Sequence, residues 1–564
     1  MKRVIGLFCL LPHLIQAQTI PEKHYPQGFF RNPLNVPIEL AGNFGELRPN
    51  HFHSGMDMKT QQRENLAVHA AADGYVSRIG VSHTGFGNVL YITHPNGYTT
   101  VYAHLNSFFP ALQAYVKQQQ YAAESWASDL TIPEGRFPVR KGDFVAWSGN
   151  TGGSAGPHLH FEIRNTQTEK PLNPLLFGFD IADSRAPDVY RIAVYDMKKS
   201  LYEQQPLMLP VKKVGTTYVT TQPLIKVKSD KIGLALNAID RMNNAPNTYG
   251  IYEVTLLHNG APDIDFQLDN IGYDETRYIN AHVDYKLKKG GGPYMQLLFS
   301  LPGNELDIYR DLKGDGTINL QDGAVHELQM LVKDAYGNTS TVKLNVQYNE
   351  TEEGEKTCAN TMYPDSRNIF ENNQVEFFLD ERALYDHICF NYLEVPTTAP
   401  KSVSNIYRLH SALVPVHDFF DVRLKANRPV PEYLQSKIVM VREALGSENT
   451  SATTLENGWY KGRFREFGNF HLEIDTIAPR VTPVAVKPGA NLAKAAKLSF
   501  VMSDASGIKN YRAELDGKWL LFSRKGNTLT YSFDDRCAPG NHVLVMKVTD
   551  IAGNEGVYRL SFKR

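Results

Sequence analysis

Two distant stretches of this chain repeat one pattern, and the repeat limits how the second half can fold. Asp183–Val194 reads DSRAPDVYRIAV, and Asp475–Val486 reads DTIAPRVTPVAV. Each stretch opens a segment that closes on a matching turn, VKDAYGN at Val332–Asn338 and VTDIAGN at Val548–Asn554. Short strands separated by Asp, Asn, Gly and Pro turns are typical of β-sandwiches. We therefore predict that both segments are β-sandwiches and that the first is enlarged by insertions.

The repeat also divides the chain. A length of 564 residues favours about four domains. We predict a β-sandwich with insertions over residues 181–350, a β-sandwich-like module over 351–474 and a β-sandwich over 475–564. Residues 18–180 differ, because one predicted helix, from Phe108 to about Ser128, interrupts their strand-like runs. The expected fold class is multidomain and mainly β, with an N-terminal antiparallel α+β domain followed by β-sandwich modules.

Residues 1–17 have the features of a signal peptide. Lys2 and Arg3 precede an apolar stretch, and Ala17 ends a plausible cleavage site. The stretch is too short to span a bilayer, and no later run reaches about 18 apolar residues. The formal net charge of −1 gives no electrostatic reason to expect a nucleic-acid partner. We therefore expect an exported protein, periplasmic or at the cell surface or secreted, without a membrane span or a nucleic-acid partner.

The cysteines are too few for a disulfide scaffold, since the chain has four. Cys9 lies in the predicted signal peptide, which leaves Cys358, Cys389 and Cys537. Cys358 and Cys389 lie in one predicted module, so pairing between them stays open. No CxxC pattern occurs, which argues against a metal site built from thiolates.

Histidines concentrate in the first 180 residues, which hold ten of the eighteen. His53 and Asp57 lie four residues apart around a glycine, and His104 ends a strand of a predicted hairpin. His158 and His160 share one face of a predicted strand, because side chains alternate along a strand. Two histidines and one carboxylate form a recurrent catalytic zinc set with an open fourth position. The pattern predicts such a site but does not decide between His158 and His160 as ligand.

Other residues could imitate this chemistry. We expect His51 at the rim of the site, and we expect surface or hydrogen-bonded positions for His69, His83 and His94. Asp311–Asp322 resembles a calcium-binding loop, but Lys313 occupies a ligand position and the final Glu is missing, so we expect a polar turn. His326-Glu327 is the only His-Glu pair, and no second His completes an HExxH helix.

Four segments resemble the lysostaphin/LytM family of zinc endopeptidases, which cleave peptide cross-bridges of bacterial peptidoglycan: GNFGELRPNHFHSGMD, VHAAADGYV, VYAHL and SGNTGGSAGPHLHFEIR. The resemblance covers about residues 40–178, within a zinc peptidase domain predicted over 18–180. It implies that one zinc ion binds to His53, Asp57 and His160. It also implies that His104 and His158 are the catalytic histidines beside the zinc-bound water. One of them would take the proton of that water and the other would stabilise the developing oxyanion, and the assignment between them stays open.

The resemblance predicts a zinc metalloendopeptidase that acts on peptidoglycan cross-bridge peptides. Two alternatives remain, a catalytically silent regulator of other wall hydrolases and a surface binding or adhesion protein. The complete residue set argues against the first, and no anchoring signal supports the second. The segment Phe108–Pro138 departs from the family and leaves the shape of the groove open.

The later modules resemble immunoglobulin-like domains by turn and strand pattern, and no ligand is predicted for them. The junction before them is polar and carries Pro187. Junctions of this kind usually connect domains with separate cores. We therefore expect the N-terminal domain to fold alone and the β modules to position it at the wall.

Overall fold

The structure is a computed structural model that describes residues 24–311, 314–349 and 358–564, without the Asp311 side chain. The predicted signal peptide and Cys9 lie outside these ranges. Strands hold 46% of the chain and helices 7%, which confirms the prediction of a multidomain, mainly β protein. Within the described ranges, no helix has the length and apolar character needed to cross a membrane.

The N-terminal domain, residues 24–180, contains an antiparallel sheet of nine strands with the main order β1-β4-β13-β8-β7-β6-β10. The strands of the whole domain, including those of two smaller sheets, are β1 (Leu40–Gly42), β2 (Leu47–Arg48), β3 (His51–Phe52), β4 (Met56–Lys59), β5 (Ala67–His69), β6 (Gly74–Val81), β7 (Asn88–Thr93), β8 (Tyr98–Ala103), β9 (Ser107–Phe108), β10 (Ser128–Thr131), β11 (Pro138–Val139), β12 (Phe144–Trp147), β13 (His158–Asn165) and β14 (Pro171–Leu172). The predicted hairpin joins β7 to β8, and Gly97 in its turn has a φ of 82°.

The predicted helix is α1 (Pro110–Ala122), which begins with a proline at its first turn. Proline suits that position, because the first N–H groups of a helix have no partner within the helix. A 3₁₀ helix follows at Pro174–Phe177 and ends the domain before the first β module.

Strand β13 determines where the site lies. It pairs with β4 on one side and with β8 on the other, so it is central in the sheet. Its apolar residues, Leu159, Phe161 and Ile163, are fully buried in the core. The intervening residues are all polar and share the opposite face, since side chains alternate along a strand: His158, His160, Glu162 and Arg164.

The first β module, residues 181–349, is built on one sheet of twelve strands. These are β15 (Asp188–Asp196), β16 (Leu207–Val214), β17 (Thr217–Thr220), β18 (Ile225–Val227), β19 (Lys231–Ile239), β20 (Glu253–His258), β21 (Ala261–Gln267), β22 (Gln296–Leu297), β23 (Tyr309–Asp311), β24 (Ile318–Asn319), β25 (Val325–Lys333) and β26 (Thr339–Tyr348). A 3₁₀ helix (Thr276–Tyr278) and two short helices, α2 (Ile279–His282) and α3 (Tyr285–Lys289), interrupt it. In the loop that resembles a calcium site, residues 312–313 lie outside the described ranges, and Asp315, Asn319 and Asp322 each accept a bond from the backbone N–H two residues on, as in polar turns.

The second β module, residues 358–474, has two sheets of five strands and a two-stranded pair. Its strands are β27 (Thr361–Met362), β28 (Asn368–Glu371), β29 (Val375–Leu379), β30 (Ile388–Cys389), β31 (Tyr392–Val395), β32 (Ile406–Leu409), β33 (Pro415–Leu424), β34 (Ile438–Ala444), β35 (Ser447–Ala452), β36 (Thr454–Glu456), β37 (Trp459–Glu466) and β38 (Gly468–Ile474), with a 3₁₀ helix at Glu432–Lys437. A disulfide joins Cys358 to Cys389, with their Cα atoms 5.6 Å apart.

The third β module, residues 475–564, packs a four-stranded sheet and a five-stranded sheet around its own apolar core. Its strands are β39 (Arg480–Pro483), β40 (Ala490–Asn491), β41 (Lys497–Ser503), β42 (Ile508–Leu515), β43 (Lys518–Trp519), β44 (Ser523–Lys525), β45 (Thr528–Ser532), β46 (Asn541–Asp550) and β47 (Glu555–Lys563). Cys537 is a free thiol buried in this core.

The N-terminal domain and the first β module exchange side chains between their cores. Phe44 and Phe52 are 1% and 2% exposed and belong to the apolar cluster that extends through the first and second β modules. In return, Met242 and Tyr249 of the module lie in the cluster of the N-terminal domain. This differs from the expectation of separate cores. The contacts lie far from the junction at Pro187, so the composition of that junction did not reveal them.

Candidate metal centre

Three of the predicted residues are positioned by neighbouring strands. Asp57 on β4 lies opposite His160 on β13 in the antiparallel register. His53 lies in the loop between β3 and β4. The loop passes close over β13 at Gly55, where a Cβ atom would lie 2.3 Å from the carbonyl oxygen of Phe161. Only glycine allows this approach, which brings His53 over the strand that carries His160.

The three side chains converge on one point. His53 Nε2 lies 3.0 Å from Asp57 Oδ1 and 3.0 Å from His160 Nδ1. His160 Nδ1 lies 2.9 Å from the same carboxylate oxygen. The residues are 2%, 6% and 4% exposed, in the order His53, Asp57, His160. The site is therefore a compact set of two nitrogens and one oxygen, nearly sealed from solvent.

Hydrogen bonds on the far side of each ring orient the nitrogen lone pairs inward. His53 Nδ1 lies 2.7 Å from the carbonyl oxygen of Asn43, and His160 Nε2 lies 2.9 Å from Glu162 Oε1. Both oxygens can only accept, so these ring nitrogens carry the hydrogens. The other nitrogen of each neutral ring then presents a lone pair to its counterpart and to Asp57. Three acceptors that face one another need a cation among them.

This donor set fits zinc. Zinc prefers histidine nitrogen and carboxylate oxygen, at about 2.0–2.2 Å. Atoms that lie 2.9–3.0 Å apart can all be at that distance from one ion. The buried site also favours positive charge. Burial lowers the pKa of His160, but its hydrogen bonds with Asp57 and Glu162 outweigh burial and raise it to about 9, so without a metal this ring holds a proton that zinc would displace from Nδ1. Burial alone would raise the pKa of Asp57, but the three neighbouring histidines hold this pKa well below its usual range.

Glu162 is the centre of a buried hydrogen-bond network behind His160. Besides His160, it accepts from Arg164 Nε at 2.7 Å and from Ser54 Oγ at 2.6 Å. The hydroxyl of Tyr273, from the first β module, donates to it at 2.6 Å. Burial alone would raise the pKa of Glu162, but these partners, Arg164 first, hold it far below the usual range. A permanently charged Glu162 fixes the tautomer and the orientation of His160.

Two further contacts hold the other ligands. Arg48 Nη2 donates to Asp57 Oδ2 at 2.7 Å, which leaves Oδ1 directed at the histidines. Asn43, whose carbonyl oxygen orients His53, is itself held by Gly250 of the first β module. The amide of Asn43 donates to the Gly250 carbonyl at 2.9 Å and accepts from the Gly250 N–H at 2.9 Å.

His104 and His158 lie beside the three ligand candidates. Their ring centroids are 4.7 Å apart, and His158 Nε2 is 3.4 Å from Asp57 Oδ1. His104 Nδ1 lies 2.9 Å from the carbonyl oxygen of Thr151, and His158 Nδ1 lies 2.8 Å from that of Gly156. Each Nδ1 therefore donates, and each Nε2 remains an acceptor. Burial, together with the neighbouring His160 and His158, lowers the pKa of His104 to about 3, so this ring is neutral at pH 7.

The other histidines between residues 51 and 160 lie outside the cluster. His51 is exposed, with Nδ1 2.9 Å from the carbonyl oxygen of Pro49. The ring nitrogens of His69 face the Gly142 carbonyl and the Asn35 amide. The ring nitrogens of His94 face the Asp73 carbonyl and the Thr100 hydroxyl. His83 is partly exposed in the turn after β6.

The segment that departs from the family contacts the third β module. Lys117 on α1 pairs with Asp534 at 2.5 Å, and Glu124 pairs with Arg512 at 2.7 Å. The glycine-rich loop is held from the same side, because Lys525 donates to the Asn150 carbonyl at 2.7 Å. That carbonyl is adjacent to Thr151, which orients His104. Two β modules thus contact the loops around the histidine cluster.

Tyr273→Phe tests the contribution of the first β module to the centre. The substitution removes the hydroxyl that donates to Glu162 and keeps the ring that lies against Arg164. Loss of an outer partner of a metal ligand weakens metal binding by about 10–100-fold, so we expect about 10-fold weaker zinc binding. The measurement is zinc competition against a chelating dye. Tyr433→Phe, which changes an exposed tyrosine of the second β module, is the control. Equal zinc affinity in both variants would show that the hydroxyl has no such role.

Parts of this chain are similar in sequence to known proteins. The profile of Peptidase family M23 matches residues 51–134, and that of the Zu5-like domain matches residues 359–475. The DD-carboxypeptidase/endopeptidase Mpg of Neisseria meningitidis is 36% identical over 154 residues, which are 26% of this chain and 29% of that protein. The murein hydrolase activator NlpD of Salmonella typhimurium is 32% identical over 139 residues, 25% of this chain and 29% of that protein. The chain thus matches under a third of the length of these relatives.

Among solved structures, the catalytic domain of lysostaphin from Staphylococcus simulans is 23% identical and matches 24% of this chain and 90% of that one, with a TM-score of 0.19. The profile match covers His53, Asp57 and His104. Residues 51–134 match Peptidase family M23, with His158 and His160 beyond the match, and the N-terminal domain that contains them is called the M23 domain.

Proposed function

We propose that this protein is an exported zinc-dependent endopeptidase that hydrolyses peptide cross-links of bacterial peptidoglycan. The observation that carries the proposal is the convergence of three lone pairs, from His53, Asp57 and His160, on one buried point. Two further histidines lie beside that point with an acceptor nitrogen each. An M23 domain in which all five residues come together has the groups that peptide hydrolysis requires.

Zinc bound there would polarise the scissile carbonyl group and lower the pKa of a coordinated water toward about 7. The protein supplies the proton transfer. Because Thr151 and Gly156 hold the Nδ1–H groups, His104 and His158 can each accept a proton only at Nε2. A ring that has taken a proton becomes a donor and a cation, which stabilises negative charge on a neighbouring oxygen.

The substrate class is supported by the relatives. Mpg is named a DD-carboxypeptidase/endopeptidase, and the name of NlpD refers to hydrolases of murein, the wall polymer. Such a substrate lies outside the cytoplasm, and this location agrees with the predicted signal peptide. Since the chain matches under a third of that relative, the particular cross-link is a question for the digestion experiment.

Substitution of either catalytic candidate tests the mechanism. We expect His104→Ala and His158→Ala to retain one zinc ion per chain and to lose at least about 10²-fold in hydrolysis rate, as when one transition-state partner is removed. The rate is measured as soluble fragments released from purified peptidoglycan sacculi by the zinc-loaded full chain. His51→Ala, which changes an exposed histidine nearby, is the matched control. Near-normal rates in both variants would remove the two histidines from the mechanism.

A regulatory role is the second candidate function, because the relative NlpD is by its name a murein hydrolase activator. The same digestion separates the two functions. An enzyme releases fragments alone and only when loaded with zinc. A regulator releases none alone and increases the release by a second wall hydrolase. The intact set of five residues favours the enzyme.

A further inference from the structure

Three aspartates of the first β module meet at its junction with the M23 domain. Asp183 precedes β15, Asp240 follows β19 directly, and Asp334 follows β25 directly. They come from three separate segments of the chain. One carboxylate oxygen of each lies within 4.8 Å of the corresponding oxygens of the other two. Three negative charges at this spacing repel one another strongly when no positive charge lies among them.

Turn formation explains only part of this cluster. Asp334 accepts bonds from the N–H groups of Tyr336 and Asn338 and from the Asn338 amide, which builds the turn between β25 and β26. Asp183 Oδ1 accepts from the Arg185 N–H, but its Oδ2 is buried without a partner. Asp240 is 2% exposed, and its Oδ1 has no hydrogen-bond partner.

The spacing suits a hard divalent cation. Oxygen ligands lie about 2.3–2.6 Å from Ca²⁺, so two oxygens on one ion are at most about 5 Å apart. The measured limit of 4.8 Å is within that range. The donors are all carboxylate oxygens. Ca²⁺ prefers such ligands, whereas zinc and other softer metals prefer nitrogen or sulfur ligands.

The third β module repeats the arrangement. Asp475, Asp504 and Asp550 occupy the corresponding positions, and one oxygen of each again lies within 4.8 Å of the others. Asp475 Oδ2 is buried without a partner, as is Asp183 Oδ2. The neighbouring amide is also equivalent. Asn554 Nδ2 donates to the Asp475 carbonyl at 3.0 Å and to Asp550 Oδ2 at 2.8 Å.

The corresponding bonds of Asn338 Nδ2 in the first module are 3.5 Å to the Asp183 carbonyl and 2.7 Å to Asp334 Oδ2. Two modules of different size therefore share one constellation of oxygens.

We propose that Asp183, Asp240 and Asp334 form a binding site for Ca²⁺. The ion lies at the base of the loop 240–249, which contacts the M23 domain. Asp240 exchanges two backbone hydrogen bonds with Tyr249, and the Tyr249 hydroxyl donates to the Leu40 carbonyl of the M23 domain at 3.0 Å. Calcium bound to Asp240 therefore stabilises the loop that contacts the M23 domain.

The test measures calcium bound to the full-length protein, freed of calcium and loaded with one equivalent of zinc. Equilibrium dialysis uses about 1 mM free Ca²⁺, the weak end of the affinities of extracellular calcium modules. We expect Asp240→Asn to bind one calcium ion fewer per chain than the unchanged protein. Calcium should raise the Tm of the unchanged protein and raise that of the variant less, because a ligand stabilises only a fold that binds it.

Matched variants keep the test decisive. Asp180→Asn, an exposed change three residues before Asp183, should bind as many calcium ions as the unchanged protein. Without calcium, Asp240→Asn should unfold at the same temperature or higher, since the substitution removes a repelling charge. Should it fail to fold, Asp183→Asn, at a partly exposed position, replaces it. Binding of equal numbers of ions by the unchanged protein and the variant, or no binding by either, would overturn the proposal.

Discussion

Replacing His160 by alanine is expected to remove zinc from the full-length protein and to reduce its hydrolysis of sacculi to the background rate. The substitution deletes one of three donor atoms, and the remaining pair, His53 and Asp57, cannot hold the ion in a catalytic geometry. Zinc content is measured by elemental analysis after dialysis, and activity by the release of soluble fragments.

The fold should survive this change, because Glu162 keeps Arg164, Ser54 and Tyr273 as partners. An unfolding temperature close to that of the unchanged protein would verify this, and His51→Ala again serves as the control. An unchanged zinc content in His160→Ala would refute the ligand assignment.

Removal of residues 181–564 is expected to prevent stable folding of the M23 domain. In the fragment 24–180, Phe44 and Phe52 lose the module core in which they are buried. Burial of a phenylalanine side chain stabilises by about 1.5–3 kcal/mol, so the loss is about 3–6 kcal/mol. Whole domains are stable by only about 5–15 kcal/mol. Thermal unfolding followed by circular dichroism measures the effect.

The control for this experiment is the fragment 24–474, which adds the first two β modules and restores the shared core, Tyr273 and Gly250. We expect it to unfold cooperatively and to bind zinc. If the fragment 24–180 unfolded at the same temperature and bound zinc equally well, the M23 domain would be independent of the module, as the polar junction at Pro187 had suggested.

Much of the site was accessible from the sequence because its residues lie in short motifs. His53 and Asp57 flank one glycine, and His158 and His160 alternate along one strand. The structure brings these four residues together with His104, while their roles stay predictions. Glu162 could have been found by the same rule, since it is the next residue on that face of β13.

The remaining parts of the site depend on contacts between distant segments. Tyr273 follows its partner Glu162 by 111 residues, and Gly250 follows Asn43 by 207. No local periodicity contains such pairings, so the dependence on the first β module was not predicted. No ligand was predicted for the β modules that carry the repeated turns. The convergence of the aspartates of these turns with Asp240 and Asp504 became visible once the strands were placed in space.

The long separation of Tyr273 from the residues it supports has a consequence for newly made chains. All five histidine and aspartate residues of the centre exist once residue 160 has been synthesised, yet the hydrogen-bond network of Glu162 needs a residue 111 positions beyond Glu162. A chain that emerges N-terminus first therefore carries its donor atoms well before the tyrosine that completes their surroundings. The order of synthesis therefore delays the complete hydrogen-bond network of Glu162 until the first β module has folded.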